Sequence, residues 1–268
     1  MTPGQFRALV FVYYRKSGRH DLPWRTTHDP YRILVSEIML QQTQVERVIP
    51  FYRSFLKRFP TVRALAQAPL GDVLKAWQGL GYNRRAKMLH EAAKLVVKSH
   101  KGKVPVTILE LEALPGVGPY TARAVAAFAA NVDSVFVETN LRTAVIHHFF
   151  ADREGVHDKE ILEVLTEAYP KGRAREWYAA LMDYGAHLKR SGARLNARSK
   201  GYVKQSTFAG SDREARGAIL KSLTKAPATR AKLLKLLGGD RKAQIESNLS
   251  KLLKEEMVVK TGAYYRLP

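Results

Sequence analysis

Two glutamates lie in sequence surroundings that would give their carboxyl groups different protonation states. Glu37 is the only charged residue in the apolar run ILVSEIML, and burial on such a helix would raise its pKa and leave a proton to donate. Glu138 stands where an apolar segment ends and a helix begins, in SVFVETNLRTAV. The positive end of that helix, capped by Thr139 or Asn140, would keep the carboxylate ionised. The alternatives are a Glu37 turned to solvent and a Glu138 that only caps a helix.

The stretch VTILELEALPGVGPYTARAV predicts two short helices joined by a tight turn. Gly116 and Gly118 permit this turn, and the N-H groups at the start of the second helix are then available to an anion. This helix-hairpin-helix would bind a phosphate; the alternative is a purely structural turn. The residues predicted to form the phosphate site are Gly116, Val117, Gly118 and Thr121.

The composition favours a polyanionic partner. Lysine and arginine number 45 against 24 acidic residues, a net charge of +21 over 268 residues, which is typical of proteins that bind nucleic acid. No signal peptide and no apolar run near about 18 residues is visible, so we expect a cytoplasmic protein without a membrane association. With no cysteine and no histidine at metal-ligand spacing, we expect no metal, no iron-sulfur cluster and no other cofactor.

Apolar residues recur every three or four positions up to about residue 188, which predicts an all-α domain over residues 1–188. The stretch 189–210 is basic and polar, and we interpret it as a linker or loop. Residues 211–268 show three helical patterns and two short strand patterns around Thr261, the order of a winged helix-turn-helix. A helical docking module is the alternative for this C-terminal domain.

Three motifs, LPWRTTHDPYRILVSEIMLQQTQV, GLGYNRRAKML and LPGVGPYTA, resemble in order and spacing those of the A/G-mismatch adenine DNA glycosylases of the endonuclease III (HhH-GPD) superfamily. The resemblance covers about residues 22–188. It implies a two-lobed helical fold, a monomer, and double-stranded DNA with a mismatched or damaged base as the partner. It also implies that Glu37 protonates the leaving adenine and that Glu138, beside Asn140, stabilises the oxocarbenium-like sugar.

Two positions depart from the pattern of the family. Relatives carry aspartate where this chain has Glu138, one methylene longer, so either the pocket has adjusted or activity is weak; a non-catalytic protein that binds damaged DNA is one alternative. Tyr120 stands where relatives that cut the strand have a Schiff-base lysine, which predicts base release without lyase activity. Thymine mismatch glycosylases of the superfamily carry tyrosine there, so a thymine or uracil glycosylase acting opposite guanine is the other alternative.

By the same resemblance, three side chains open the duplex. Gln41, one helical turn beyond Glu37, and Tyr82 would fill the space left by the flipped base, and Gln42 would hydrogen-bond the unpaired base. The basic residues after Tyr82 are interpreted as phosphate contacts, with a merely solvated face as the alternative: Arg84, Arg85 and Lys87.

Most adenine glycosylases of this family hold an iron-sulfur cluster with four cysteines. In this chain those places fall on Lys189, Asn196, Ser199 and Gln205, none of which can replace a thiolate, so the resemblance implies a cluster-free form. Nothing in the chain resembles the Nudix-like domain with which longer relatives recognise 8-oxoguanine. The predicted function is removal of adenine paired with guanine or 8-oxoguanine.

Overall fold

A computed structural model shows a predominantly helical protein and describes residues 1–192, 195–202 and 207–268. In chain order the helices are α1 (Pro3–Ser17), α2 (Pro30–Leu40), α3 (Val45–Arg58), α4 (Val62–Gln67), α5 (Leu70–Trp77), α6 (Arg84–Ser99), α7 (Ile108–Glu112), α8 (Pro119–Ala130), α9 (Thr139–Phe149), α10 (Asp158–Ala168), α11 (Ala174–Arg190), α12 (Asp212–Lys225), α13 (Arg230–Leu233) and α14 (Lys242–Lys254). The strands are β1 (Ala228–Thr229), β2 (Val259–Thr261) and β3 (Tyr264–Arg266). The all-α prediction from three- and four-residue spacing is confirmed.

The described residues form two compact units, and each unit draws on separate stretches of the chain. The first unit contains Met1–Glu37, Pro105–Ala113 and the described part of Val117–Lys204. The second contains Ile38–Val104, Leu114–Gly116 and the described part of Gln205–Pro268. The sequence boundaries after residues 188 and 210 divide the chain in a different way and stay predictions.

The core of the first unit gathers around α11. Trp177 of this helix is fully buried, and Phe6 of α1 meets its ring edge-on at a centroid distance of 6.2 Å. Helix α9 packs against α11 at Gly185, where a Cβ atom would lie only 2.1 Å from the carbonyl oxygen of Asn140. The two helices can approach this closely because position 185 has no side chain.

The second unit includes the C-terminal segment, residues 207–268, together with helices α3 to α6. In this segment the elements follow the order α12, β1, α13, α14, β2, β3, with an antiparallel sheet of strand order β1-β3-β2. This is the winged-helix-like arrangement that the sequence predicts, and Gly262, at φ +59°, forms the predicted hairpin turn. The segment is fixed to the rest of the unit by backbone and side-chain bonds. The Gly71 N-H donates to the Pro268 carbonyl at 2.9 Å, and Lys87 Nζ donates to the Glu255 carbonyl at 2.5 Å.

No helix in the described part of the chain is both long and apolar enough to cross a bilayer.

Candidate active site

Glu37 is buried on α2 of the first unit, as its apolar neighbours predict. Its side chain is 5% exposed, and Ile33 and Leu34 on the same helix are each 1% exposed. This burial raises the pKa of Glu37 to about 7, against opposing effects of a hydrogen bond from Tyr120 and the charge of Arg25. The Glu37 carboxyl therefore holds a proton over much of the neutral pH range and is able to donate it.

Glu138 is the N-cap residue of α9, and the structure differs here from the expectation that Thr139 or Asn140 caps the helix. The Glu138 carboxylate accepts hydrogen bonds from the backbone N-H groups of Asn140 at 2.6 Å and Leu141 at 3.0 Å. The longer side chain folds back onto the helix start, so Glu138 itself occupies the capping position. Burial raises its pKa, while these two N-H donors and the charge of Lys189 act in the opposite direction.

Lys189 of α11 joins Glu138 through Asn140. Its Nζ donates to Asn140 Oδ1 at 2.9 Å, and Asn140 Nδ2 donates to Glu138 Oε2 at 3.3 Å. The contact depends on the close packing of α9 and α11 at Gly185, four residues before Lys189 on the same face of the helix. Glu138, Asn140 and Lys189 are called the carboxylate chain below.

The residues at the family's cluster positions do not fit an iron-sulfur cluster. Lys189 is a cation engaged with Asn140, and Asn196 accepts a hydrogen bond from Thr143 Oγ1 at 3.2 Å. Ser199 is buried and has no thiolate to offer, and Gln205 lies outside the described residues. Across the described ranges, no group of three or more histidine or acidic residues could hold a metal ion.

Tyr120, in the first turn of α8, contacts Glu37 directly. Its hydroxyl donates to Glu37 Oε2 at 3.4 Å, and its ring meets Phe136 edge-on at 5.5 Å. Burial and the nearby carboxyl groups raise the pKa of Tyr120 well above 10, so its hydroxyl stays a donor. At this position the chain places a hydrogen-bond donor beside the acid and no amine.

The hairpin turn between α7 and α8 has the backbone that the sequence predicts. Gly116 adopts φ +77°, and Gly118 is the N-cap of α8, with Pro119 at the first helical position. The side chains of Val117 and Thr121 are buried, and the predicted phosphate contact through backbone N-H groups stays a prediction. These two residues can offer a phosphate only their backbone N-H groups.

The two glycines of the turn are required for different physical reasons, and substitution of each should therefore have a different effect. An added Cβ at Gly116 would lie 2.5 Å from the Cβ of Met88, whereas at Gly118 it would meet no atom within 4 Å. We expect Gly118→Ala to fold normally but to bind DNA roughly tenfold more weakly, since a methyl group would stand where a phosphate approaches the helix start. Gly116→Ala should lower the melting temperature. Equal DNA affinity for wild type and Gly118→Ala would contradict a phosphate site here.

Gln41, Gln42 and Tyr82 belong to the second unit and lie in turns. Helix α2 ends at Leu40, so Gln41 begins the following turn and does not extend the helix. Gln42 and Tyr82 both adopt a left-handed backbone, at φ +57° and +47°, which is uncommon for residues other than glycine. Their contact with DNA stays a prediction.

The guanidinium of Arg85 is engaged in hydrogen bonds within the protein. Its guanidinium lies partly buried between the end of α2 and the turn before α6, and burial lowers its pKa to about 10. Because its donors serve protein carbonyls, Arg85 holds the two turns together, and its contact with a phosphate stays a prediction. Lys87 is likewise bound to Glu255, while Arg84 is exposed. The acceptors of Arg85 are the carbonyls of Ile38, Met39, Gln41, Leu80 and Gly81 and the hydroxyl of Thr43.

Neighbouring arginines should therefore behave differently when substituted. Arg85→Leu leaves several carbonyls without a donor, and we expect it to lower the free energy of unfolding by about 2–4 kcal/mol. Arg84→Leu, the matched control, should change stability by less than about 0.5 kcal/mol and weaken DNA binding instead. Thermal denaturation measures the stability of both variants, and titration with DNA measures their affinity. An Arg85→Leu variant as stable as wild type would show that Arg85 does not hold the two turns together.

A buried ion pair near Glu37 was not identified from the sequence. Asp183 of α11 is 1% exposed and accepts from Arg25, at 3.1 Å and 3.2 Å, and from Arg19. Burial opposes ionisation of Asp183, but the two arginines outweigh it and lower the pKa. The pair fixes Arg25 of the LPWR motif, whose positive charge acts on Glu37. The only signal in the sequence was an arginine inside that motif.

Comparisons with known proteins show the family to which the chain belongs. Residues 35–171 match the HhH-GPD superfamily base excision DNA repair protein family. The chain is 38% identical to the adenine DNA glycosylase of Mycobacterium tuberculosis (strain ATCC 25618 / H37Rv), over 94% of this chain and 90% of that protein. It is 35% identical to the adenine DNA glycosylase of Buchnera aphidicola subsp. Baizongia pistaciae over 69% of this chain, and it matches only 53% of that relative's length.

A solved structure shows the same fold. A thermostable thymine-DNA glycosylase superposes with a TM-score of 0.62 at 28% identity, over 73% of this chain and 94% of that one. The helical fold and these matches define the class as DNA base-excision repair proteins. The chain belongs to the HhH-GPD superfamily of base excision DNA repair proteins.

Proposed function

We propose that the protein is a monofunctional DNA glycosylase that removes adenine mispaired with guanine or 8-oxoguanine. The observation that carries the proposal is the pairing of Glu37, whose pKa is about 7, with a Glu138 carboxylate that accepts two backbone N-H groups. Electrostatic repulsion between the two carboxylates adds to the raised pKa of Glu37. The identity to adenine DNA glycosylases supports adenine as the base.

In the proposed mechanism, Glu37 protonates a ring nitrogen of the adenine and so makes the base a better leaving group. The bond from C1' to the base nitrogen breaks, and positive charge develops on the sugar. Glu138 stabilises this charge and orients the water that attacks C1'. The N-H donors of α9 and the Lys189 ammonium favour the ionised form of Glu138 that this step requires.

The same geometry supports base release without strand cleavage. A lyase needs an amine that attacks C1' and forms a Schiff base, and Tyr120 offers a hydroxyl whose hydrogen bond goes to Glu37. The proposed product is therefore an intact strand with an abasic site. We also propose that the protein works without an iron-sulfur cluster, because Lys189 and Asn196 at the cluster positions are engaged in other hydrogen bonds.

One observation favours a second candidate, removal of thymine or uracil opposite guanine. Tyr120 stands at the position where, by the family resemblance, thymine mismatch glycosylases also carry tyrosine. The thermostable thymine-DNA glycosylase shares the fold. A pyrimidine substrate would draw less benefit from an acid with a raised pKa, since it leaves as an anion stabilised on its oxygens. The Glu37 environment therefore favours adenine.

The test uses labelled duplexes with adenine opposite guanine, adenine opposite 8-oxoguanine, and thymine or uracil opposite guanine. Strand breaks only after hot alkali, in the adenine duplexes, are the expected result. Breaks without alkali, or trapping of the protein on DNA by borohydride, would show a lyase. Cleavage of only the pyrimidine duplexes would establish the second candidate. Tight binding with no cleavage would show a protein that only binds DNA.

The hydrogen bonds of the carboxylate chain predict that Lys189 affects the rate of base release and its pH dependence. Lys189→Met removes the cation behind Asn140, so we expect the single-turnover rate to fall about tenfold. Loss of the positive charge also raises the pKa of Glu138, and the acidic side of the pH-rate profile should move to higher pH. Lys189→Arg, which keeps the charge, should restore most of the rate. A Lys189→Met variant with an unchanged pH profile would show that the lysine has only a packing role.

A further inference from the structure

Two arginine side chains contact the ring of Tyr82 in the second unit. The guanidinium of Arg85, on α6, lies 5.5 Å from the centre of the ring, and that of Arg213, on α12, lies 5.3 Å from it. A cation within about 6 Å of an aromatic ring is attracted to its π-electrons. Tyr82, which the family resemblance assigns to the opening of the duplex, is thus held by α6 and by the C-terminal segment.

Arg213 also binds the polar end of the tyrosine. Its Nη1 donates to the Tyr82 hydroxyl at 2.7 Å, and its Nη2 donates to the Thr207 carbonyl at 3.3 Å. A hydrogen bond from a charged donor is shorter and stronger than one between neutral groups. Arg213 therefore fixes the direction in which the Tyr82 side chain points, and not only its distance from α12.

The turn that carries Tyr82 does not by itself select one direction for the ring. Tyr82 has a left-handed backbone, at φ +47°, and two glycines with positive φ precede it, Gly79 and Gly81. Glycine allows a turn many backbone conformations. A cleft of about 320 Å³ also borders the ring, so the ring has space for another rotamer. The contacts with Arg85 and Arg213 restrict it to one position.

The first turn of α12 is held firmly enough to support the tyrosine. Asp212, before Arg213 in the chain, accepts a hydrogen bond from Asn248 of α14 at 3.0 Å. Glu214, after Arg213, accepts one at 2.7 Å from Arg241, which precedes α14. These bonds fix Arg213 on the folded C-terminal segment. The position of the Tyr82 ring therefore depends on a residue 131 positions away in the sequence.

We propose that Arg213 is a positioning residue for the opening of the duplex, because it holds the Tyr82 ring in the orientation from which the ring enters the base stack. The inference rests on the proposed function, in which a base leaves the stack before it is excised. A side chain that is already ordered loses little conformational freedom when it binds. Since Arg213 acts through Tyr82, its effect falls on base opening, which precedes the breaking of the glycosidic bond.

The experiment measures base opening without base release. The duplex carries adenine opposite guanine on a 2'-fluoro sugar, whose electron-withdrawing fluorine opposes the developing cation, and a fluorescent 2-aminopurine stands beside the adenine. Fluorescence rises when the neighbouring base leaves the stack. We expect Arg213→Met, which keeps the length of the side chain, to lower the equilibrium constant for opening roughly fivefold, the value of one ordered side chain.

Arg216→Met is the matched control. Arg216 lies on the same helix, and its guanidinium pairs with Glu255, so this variant loses the same charge without loss of the bond to Tyr82. We expect it to open the duplex as wild type does. Equal losses of opening in the Arg213 and Arg216 variants would show a general effect of charge or stability and would overturn the proposal.

A second background tests whether Arg213 acts through the tyrosine. Tyr82→Phe keeps the ring and removes the hydroxyl that Arg213 binds, so Arg213→Met added to it should lower opening by less than about twofold. A fivefold loss in both backgrounds would show that Arg213 acts elsewhere, and would overturn the proposal. Faster opening by Arg213→Met would overturn it too, since the contact would then restrain the ring.

Base release is measured separately on the same duplex with an ordinary sugar, so that the two proposals can fail independently. A protein that opens the duplex with the expected dependence on Arg213, but releases no base, would reject the glycosylase and keep the role of Arg213. Base release by wild type together with equal opening in Arg213→Met would reject the role of Arg213 alone.

Discussion

Glu37→Gln is expected to abolish base release, with a single-turnover rate about a thousandfold below that of wild type. Glutamine fills the same volume in the buried site but cannot donate a proton to the leaving adenine. DNA affinity should remain within a few fold of wild type, because Glu37 is buried and contacts Tyr120, not the surface. Loss of cleavage with retained binding is therefore the expected pair of results. Retained cleavage would exclude Glu37 as the acid.

The pH dependence of the wild-type rate supplies a second measurement of the same group. Since the pKa of Glu37 is raised to about 7, the fraction of protein with a protonated acid falls as the pH rises through 7. The rate of base release at low DNA concentration should fall on the alkaline side with that midpoint. A rate that is flat from pH 6 to 9 would contradict the assignment.

The free energy of unfolding should depend on pH through the same carboxyl group of Glu37. The pKa of Glu37 in the folded protein, about 7, exceeds its ordinary value of 4.5, so the folded state binds more protons between these values. The free energy of unfolding that Glu37 contributes is fully present below pH 4.5 and is lost as pH rises through 7, by about 3 kcal/mol. Glu37→Gln does not titrate, so its stability relative to wild type should increase from pH 5 to pH 8. Urea unfolding at both pH values measures the difference.

Glu138→Gln has the second largest expected effect, a fall in rate of roughly a hundredfold to a thousandfold with DNA binding retained. The amide can still accept from the N-H groups of Asn140 and Leu141, so α9 keeps its cap and the fold is preserved. What disappears is the negative charge opposite the developing sugar cation. Glu138→Gln removes the negative charge but keeps the cap of α9. A variant that is stable but slow would therefore show that Glu138 acts electrostatically.

Glu138→Asp is the informative companion to that variant. The shorter side chain can cap α9 in the same manner, but it withdraws the charge by about one ångström, and a displacement of this size can cost on the order of a hundredfold in rate. We expect a rate between those of wild type and Glu138→Gln. An aspartate variant faster than wild type would show that the pocket has not adapted to glutamate, and that this chain is a weakened enzyme.

The sequence predicted the environment of Glu37 because the determining neighbours are local. Ile33 and Leu34 lie one turn before Glu37 on the same helix, and their periodicity is visible in the chain itself. The hairpin turn was predictable for a similar reason, since glycine and proline act on the backbone of their own residues. The helical fold class followed from the same kind of evidence.

The contacts that the sequence analysis missed join residues far apart in the chain. Lys189 reaches Asn140 across 49 positions, and Arg85 reaches Gln41 across 44. An arginine that follows a predicted wedge is ordinarily exposed, and only the packing of α6 beside the end of α2 buries its guanidinium. Nor does hydrophobic spacing state which helices share a core, so the grouping of residues 38–104 with the C-terminal segment was not predictable.

The close approach of α9 to α11 at Gly185 has a consequence for the interpretation of genetic variation. An alanine there adds one methyl group, 47 positions from the proposed catalytic carboxylate, and would ordinarily be scored as a mild change in a helix. Yet that methyl group would collide with the carbonyl of Asn140 and push the carboxylate chain apart. We expect the Gly185→Ala allele to be repair-deficient and its host strain to accumulate mutations, although neither glutamate has been altered.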